Sequence, residues 1–308
     1  MVSASRSGMK LGIGIISAGK VGAVLGAALA RAGHTIVGVH APSDESAERA
    51  DVLLPGTPHR DVEDIVRTSE LVILAVPDRE IAGIVSGLAK LKAWQPGHVL
   101  VHTAGSMGSE VLAPAAAQGA LGLAIHPAMT FTGTSLDLDR LVDCPFAVSG
   151  PATILPIAHA LVTEIDGIPV EVPSEKRGLY HAALAHGGNH LVTVVAQAMR
   201  LLDDAGIPDP GAFLAPLAGA SLDGALRSGE SLLTGPIVRG DAGTVENHVR
   251  ELADHPDILA TYRAIAKATA DRAVTRRIIT PSTAKDMERA LQCDDGRMMA
   301  DGGEVTGE

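Results

Sequence analysis

The first 150 residues alternate short aliphatic and β-branched runs with stretches whose apolar positions recur at helical spacing. This alternation is typical of a parallel sheet with helices on both faces. Strands are predicted at 11–16, 35–39, 71–76, 98–102, 121–125 and 146–149. Helices are predicted at 20–32, 44–53, 60–67, 78–92 and 106–117. The segment 151–171 predicts one further helix and a strand, with Pro169 in a turn or at a strand edge.

After Ser174 the strand-like runs almost disappear. Ser174 can cap a helix, and the helical pattern continues to Ala205, where Gly206 and Pro208 end it. Residues 182–202 are apolar or small on more than one face, so this helix needs burial within a helical domain or across a subunit interface. Further helices are predicted at about 211–228, 241–253 and 257–277. We therefore expect a second, all-helical domain built on one long helix.

Composition and charge narrow the class of protein. Apolar residues make up 46% of the chain and charged residues 20%, which indicates a globular protein. The net charge of −11 argues against nucleic-acid binding, because a phosphate-reading surface needs clustered Lys and Arg. The apolar stretch 11–32 contains Lys20 and Arg31, so we expect a strand-helix unit and no membrane contact. Cys144 and Cys293 lie far apart, which favours a reducing, cytoplasmic location.

A glycine-rich turn follows the first predicted strand. Its residues are Ser17, Ala18, Gly19, Lys20, Val21 and Gly22. Dinucleotide-binding folds place G-x-G-x-x-G at such a strand-to-helix turn, where backbone amides and the helix N-terminus meet the pyrophosphate. Ser17 replaces the first glycine, and we expect it to complete the turn with a negative φ. The predicted fold class is thus α/β, with an N-terminal doubly wound parallel Rossmann sheet followed by the all-helical domain.

The end of the second strand indicates which dinucleotide binds. NAD sites usually carry an acidic residue there for the ribose 2′-OH. Here the strand ends at His40 and is followed by Ala41, Pro42 and Ser43, so NADP is favoured over NAD. Arg49 could approach a 2′-phosphate or could simply lie on a solvated helix face. S-adenosylmethionine, which shares the glycine-rich turn, usually also requires an acid at this position and is therefore disfavoured.

Several short motifs follow one another along the chain in a characteristic order. They are Ser17–Gly22, Leu74–Asp78, His102–Ser106, Ile125–Pro127 with Met129 and Phe131, Tyr180–Ala183 with Asn189, and Leu233–Asp241. Together they resemble the bacterial Rossmann-like proteins that have a C-terminal domain of unknown function. Those proteins are related to pyrroline-5-carboxylate reductase, prephenate dehydrogenase, ketopantoate reductase and the 6-phosphogluconate dehydrogenase superfamily.

The resemblance covers residues 10–275 and implies the fold, an NADP-type cofactor and a homodimer. It does not supply a substrate. The chain departs from these relatives at Ser17, which replaces a glycine, and at Pro42, where they often carry arginine. The predicted domains are a nucleotide-binding domain at 9–171, a substrate or dimerisation domain at 172–280, and a largely disordered acidic tail at 281–308.

Ligands of open parallel sheets lie beyond the C-terminal strand ends. Residues expected to border the ribose and nicotinamide follow the third strand: Ala75, Val76 and Pro77. Thr103, Gly105 and His126 follow the next two strands and are candidates for substrate binding. The histidines at these strand ends, His102 and His126, could equally be satisfied structural residues.

Superfamily dehydrogenases place a lysine and an asparagine on the first long helix of the second domain. This chain has no lysine between Arg177 and Asn189, so a lysine acid cannot be carried over. His181 could act as the general acid, and Asn189 could orient the substrate. Arg239 could hold a substrate carboxylate or pair with a surface acid. No metal site is predicted, because His186 and His190 have no third ligand at a sequence spacing typical of metal sites.

Two hypotheses of different kinds follow. The first is an NADP-dependent oxidoreductase that transfers hydride to or from a small, carboxylate-bearing substrate, either a 2-keto acid or an imine. The second is a non-catalytic module that binds or senses NADP(H) and uses its helical domain for dimerisation. The missing lysine favours the second, whereas His181, Asn189 and the polar strand ends favour the first.

Overall fold

The computed structural model describes residues 10–293, and the chain divides into two compact units at Gly187/Gly188. The first unit holds a seven-stranded sheet. Its strands are β1 Gly12–Ile16, β2 Thr35–His40, β3 Leu71–Leu74, β4 Val99–His102, β5 Leu121–Pro127, β6 Pro145–Ser149 and β7 Ile168–Glu171. The spatial order is β2-β1-β3-β4-β5-β6-β7, and every neighbouring pair is parallel except β5–β6.

Helices connect these strands. They are α1 Lys20–Arg31, α2 Asp44–Leu53, α3 Val62–Thr68, α4 Asp78–Lys90, α5 Ala113–Ala116, α6 Leu136–Arg140, α7 Leu155–Glu164 and α8 Arg177–Leu184. Successive side chains of β3 pack on opposite faces of the sheet. Leu71 and Ile73 belong to one apolar cluster, and Val72 and Leu74 belong to another. The sheet is therefore covered on both faces, as the hydrophobic pattern predicts.

Two parts of the first unit differ from the predictions. The helix predicted at 106–117 is a 3₁₀ turn, Ser109–Leu112, followed by the single turn of α5. Strand β6 runs antiparallel to β5, whereas a parallel sheet is expected. Periodicity in the sequence indicates which residues are buried but not the direction in which a strand runs. The predicted helix and strand of 151–171 are α7 and β7, with Pro169 in the outermost strand of the sheet.

The second unit is helical throughout its described part. The helices are α9 His190–Asp204, α10 Pro210–Ser228, α11 Pro236–Arg239, α12 Ala242–Glu251, α13 Pro256–Thr275 and α14 Pro281–Leu291. Its apolar cluster draws on α11, α12, α13 and α14, with Val245 and Met287 fully buried. No helix within residues 10–293 is long and apolar enough to cross a membrane.

The long helix predicted from Ser174 to Ala205 is present as a run of helical segments. A 3₁₀ turn, Ser174–Lys176, leads into α8, and a π-helical turn, Ala185–Asn189, leads into α9. The division between the units falls in that π-helical turn and not at the predicted 171/172.

The structure also differs from the tail predicted to start at residue 281. Residues 281–291 form α14, which begins at the N-cap Thr280 and buries Met287, Ala290 and Leu291. These apolar residues recur at helical spacing and supply the packing face of the helix. Residues 294–308, the remainder of the predicted tail, lie outside the described residues.

Candidate active site

The glycine-rich turn joins β1 to α1 at the C-terminal edge of the sheet. The backbone amides of Ser17 and Ala18 both donate to the carbonyl of His40, at 3.1 and 3.0 Å, which ties the turn to the end of β2. Helix α1 begins after Gly19, and it carries neither a side-chain cap nor an acidic residue in its first turn. The positive end of the helix is thus left for an anion from outside.

The two glycines of the turn serve different purposes. A Cβ at Gly22 would lie 2.2 Å from the Ser17 carbonyl oxygen and 2.9 Å from Ala75 Cβ, so only glycine lets α1 approach β1 and β3 this closely. A Cβ at Gly19 would meet only Ser17 Oγ, at 3.7 Å. The space over Gly19 is therefore open, as close approach of a pyrophosphate to the backbone requires.

Ser17 adopts a φ of +76°, which corrects the expectation of a negative φ. The turn requires a left-handed backbone conformation at this position. Glycine would adopt it at a lower free-energy cost than serine does. The substitution therefore preserves the geometry of the motif at the expense of local strain.

The side chains beyond β2 are arranged differently from the expectation. The Ser43 hydroxyl accepts from the Ser46 amide and completes a capping box at the start of α2, so it is already engaged. Arg49 is half-buried and donates from Nη1 to the Ala18 carbonyl at 3.3 Å, while Nη2 pairs with Glu45 at 2.5 Å. A guanidinium therefore stands beside the glycine-rich turn, a placement that the sequence alone does not decide.

The residues after β3 and β4 lie next to this turn. The Ala75 amide donates to the Ile16 carbonyl at 3.0 Å, and the Thr103 amide donates to the Leu74 carbonyl at 3.2 Å. Pro77 occupies the N-cap position of α4 without a side-chain hydrogen bond, and Ser106 Oγ donates to Asp78 at 2.9 Å. The ends of β1, β3 and β4 thus form one continuous edge.

The two strand-end histidines have different roles. His102 is fully buried; its Nε2 donates to the Gly108 carbonyl at 2.9 Å, and its Nδ1 accepts from the Ala104 amide at 3.2 Å. Burial lowers the pKa of His102 to about 4, although the bond to Gly108 opposes the shift. Both ring nitrogens are occupied, so His102 is a structural residue that shapes the turn after β4.

His126, in contrast, meets two side chains of α8. Its Nδ1 lies 2.9 Å from the Tyr180 hydroxyl oxygen, and its ring stands edge-on to the ring of His181 with centroids 6.1 Å apart. A Cβ at Gly105 would lie 2.5 Å from His181 Cδ2 and 3.0 Å from His126 Nε2. Gly105, His126, Tyr180 and His181 therefore form one cluster, which we call the His126 cluster.

Within the His126 cluster, Gly105 is buried, His126 and Tyr180 are partly buried, and His181 is exposed. Burial, and after it the positive charge of Arg177, lowers the pKa of His126 to about 4. Burial raises the pKa of Tyr180, while Arg177 opposes that shift. At neutral pH the cluster thus presents a neutral imidazole hydrogen-bonded to a neutral phenol, beside the exposed imidazole of His181.

Two residues of this region are not singled out as site residues by the sequence. Tyr180 stands only in a family motif, and its position directly before His181 is the signal that could have identified it. Arg177 looks like an ordinary polar residue at a helix start, yet it is fully buried. The candidate residues Asn189 and Arg239 belong to the second unit, where both are exposed, and their roles remain predictions.

Comparison with known proteins identifies the domains. Residues 2–127 match the Rossmann-like domain, and residues 144–269 match the domain of unknown function DUF2520. The chain thus combines a Rossmann-like domain with a DUF2520 domain. Among curated proteins, none matches this sequence.

Solved structures share the fold over most of the chain. A candidate NADP oxidoreductase from Bacteroides fragilis is 24% identical with a TM-score of 0.72, over 85% of this chain and 98% of that one. A protein from Thermotoga maritima is 25% identical, with a TM-score of 0.64 and coverages of 86% and 99%. An imine reductase from Streptomyces aurantiacus is 19% identical, with a TM-score of 0.61 and coverages of 90% and 99%. At such identities the likeness establishes the fold.

Proposed function

We propose that the protein is an NADP(H)-dependent oxidoreductase that acts on the C=O or C=N bond of a small, carboxylate-bearing substrate, or on the corresponding alcohol or amine. The observation that carries this proposal is the His126 cluster, in which Gly105, His126 and His181 lie together. The cluster is at the same edge of the sheet as the glycine-rich turn, where the uncapped start of α1 can bind an anion. The names of the similar Bacteroides and Streptomyces proteins are consistent with this class of reaction.

The cofactor fits the residues of the first unit. The open space over Gly19 and the uncapped start of α1 suit its pyrophosphate, and Ala75, Val76 and Pro77 border the adjoining strand end. Arg49 beside Ala18, with no acid at residues 40–43, favours the 2′-phosphate of NADP over the free hydroxyl of NAD. When bound, the nicotinamide would supply or accept a hydride.

The protein's own residues would handle the proton that accompanies the hydride. His181 would donate this proton to the substrate oxygen or nitrogen during reduction and take it back during oxidation. His126 and Tyr180 would orient the substrate through their hydrogen-bonding atoms, and Gly105 leaves room for it where any larger residue would meet both imidazoles. Thr103 would line the same edge.

Binding of the cofactor is tested first, by following NADPH and NADH fluorescence during titration. We expect NADPH to bind more tightly, and Gly19→Asp to raise its Kd at least about tenfold, which corresponds to ~1.4 kcal/mol. A Cβ fits at this position, and the added carboxylate would repel the pyrophosphate. Gly83→Asp, at an open, exposed glycine of α4, is the matched control and should bind normally.

Catalysis is tested by offering 2-keto acids and cyclic imines with NADPH. We expect His181→Ala to lower kcat by about 10²–10⁴ with little change in the Kd for NADPH. His159→Ala, at a partly exposed histidine of α7, serves as the control. Normal NADPH binding without turnover of any substrate would favour the non-catalytic binding module, and no binding of either nucleotide would overturn both hypotheses.

We also propose that the second unit mediates homodimerisation. Helices α9 and α10 together contain no buried residue, although they carry large apolar side chains. Val192, Phe213, Leu217 and Leu226 are 69%, 61%, 70% and 80% exposed. Large apolar side chains left exposed in this number are typical of a surface that contacts another protein.

A further inference from the structure

We propose that Arg177 is a positioning residue for the reaction proposed above: it anchors helix α8 to strands β5 and β6, so that Tyr180 and His181 stay beside His126. The proposal rests on the proposed function for its kinetic consequence, whereas its structural and electrostatic content can be tested without cofactor or substrate.

The anchoring is visible in the hydrogen bonds of the guanidinium. Arg177 lies at the start of α8, and its Nη2 donates to the Ala124 carbonyl of β5 at 2.9 Å and to the Ala147 carbonyl of β6 at 3.2 Å. Its Nε donates to Ser149 Oγ at 2.8 Å. One side chain thus holds the helix against two strands at once.

The spacing of residues connects this anchor to the His126 cluster. Tyr180 and His181 follow Arg177 by three and four positions, so all three lie on one face of α8. His126 follows Ala124 by two positions in β5, so the backbone carbonyl that Arg177 binds lies close to His126 along the strand. Fixing Arg177 on Ala124 therefore fixes the helix residues opposite His126.

The positive charge of Arg177 is unusual because it is buried without an acidic partner among the described residues. It is fully buried, and within residues 10–293 it has no carboxylate within ion-pair distance and no hydrogen-bond partner for Nη1. Burial of an unpaired cation is costly, so an anchor that served stability alone would be expected to be neutral or paired. The charge instead lies near Tyr180, whose ring centroid is 5.9 Å from Arg177 Cζ.

A nearby cation disfavours protonation of an imidazole. After burial, Arg177 is the largest influence that lowers the pKa of His126. The other charged or titratable groups near His126 are Tyr180 and His181 from α8, Asp78 from α4 and His102 from β4. Arg177 therefore adds to burial in favouring the neutral form of His126, whose Nδ1 can accept the Tyr180 hydroxyl proton in a hydrogen bond.

The test follows the titration of His126 in the full-length protein by NMR of the histidine ring carbons, with His126→Asn for assignment. We expect Arg177→Met and Arg177→Gln to raise the pKa of His126 by about one pH unit, because each removes the charge. Arg177→Lys keeps the charge and should titrate as the parent does. Arg67→Met, an exposed arginine of α3, is the matched control and should also leave the titration unchanged.

Kinetics separate positioning from charge. Lysine cannot reproduce the planar fork that reaches Ser149 and both carbonyls, so Arg177→Lys should lower kcat about tenfold while KM for NADPH stays within about twofold. An unchanged titration in a folded neutral variant, or full kcat in Arg177→Lys, would overturn the proposal. If both neutral variants unfold while Arg177→Lys folds, Arg177 serves stability and the positioning role fails.

If the protein proves to have no oxidoreductase activity, the titration still decides the role of Arg177 in the His126 cluster. A raised His126 pKa in the neutral variants would then support the arrangement of the cluster, while the kinetic result would count against the proposed function alone.

Discussion

At the scale of single residues, Ser17 holds a left-handed backbone that costs a non-glycine residue about 1–2 kcal/mol. Its amide and that of Ala18 share the His40 carbonyl, so the surrounding structure maintains the strained turn. The hydroxyl makes no hydrogen bond to another residue between 10 and 293 that would compensate for this cost.

Ser17→Gly should therefore stabilise the protein. We expect the free energy of unfolding to rise by about 0.5–1 kcal/mol, since relief of backbone strain outweighs the greater freedom of glycine in the unfolded chain. Urea denaturation followed by circular dichroism measures the difference. A loss of stability would mean that the serine side chain contributes a contact absent from the described turn.

Two histidines at the strand ends, the buried His102 and the partly buried His126, should make stability depend on pH. The pKa of both His102 and His126 falls to about 4 in the folded protein, from 6.5 in an unfolded chain. Between pH 6.5 and 4 the unfolded chain binds more protons, so the free energy of unfolding falls as the pH is lowered through this window. The contribution of the two neutral histidines to stability is fully present above pH 6.5.

We expect the urea midpoint to drop between pH 7 and pH 5, by an amount equivalent to a few kcal/mol in total. His102→Gln should be less stable at pH 7, because the Gly108 and Ala104 groups lose their partner. It should also show a smaller drop on acidification. An equal drop in parent and variant would show that other groups cause the pH dependence.

At the scale of elements, the junction of β1 with α1 depends on a close approach at Gly22. A methyl group there would overlap the Ser17 carbonyl, which belongs to the same turn. Because the obstructing atom is backbone, it cannot move aside as a flexible side chain can.

Gly22→Ala should destabilise the protein by roughly 1–3 kcal/mol and weaken NADPH binding, since α1 must shift away from the sheet. Gly87→Ala is a contrasting control at an open position of α4. It should stabilise by up to about 1 kcal/mol through helix propensity. Thermal unfolding and NADPH titration measure both effects, and a neutral Gly22→Ala would contradict the close approach.

Elements also show where prediction from sequence succeeds. The predicted bounds of strands β1, β3 and β4 and of helices α1 and α2 agree with the structure within two residues, because uninterrupted apolar runs and clear caps mark their ends. The helix predicted at 106–117 is wrong over its first turn. There the backbone of Gly108 binds His102 and packs against Ser174, a contact far along the chain.

For the candidate site, the sequence predicts individual residues but not their proximity in space. Strand ends place His126 and Gly105, and helix spacing places His181, but no local pattern shows that these three meet. Arg177 is hidden because a polar residue at a helix start is ordinarily solvated. Its burial depends on the antiparallel pairing of β5 with β6, which offers it two carbonyls.

At the scale of the whole molecule, the exposed apolar faces of α9 and α10 predict a dimer of twice the 31.5 kDa chain mass. Phe213→Glu with Leu217→Glu should convert it to monomer, because charges would be buried in the contact. Val52→Glu, an equally exposed apolar residue of α2, is the control and should remain dimeric. Light scattering after gel filtration measures the mass, and a monomeric parent would contradict the prediction.

Strand β7 forms one of the two edges of the sheet, where a strand of another chain could pair with it. The Ile168 amide of β7 donates to the Cys144 carbonyl just before β6, and the Val172 amide just after β7 donates to the Val148 carbonyl of β6. The alternate positions 169 and 171 therefore point away from β6. Position 169 is proline, which has no amide hydrogen to offer. Because Ile168 and Val170 are half exposed beside it, this margin would otherwise attract another chain's strand. Pro169 thus discourages the growth of an intermolecular sheet and fibril-like assembly.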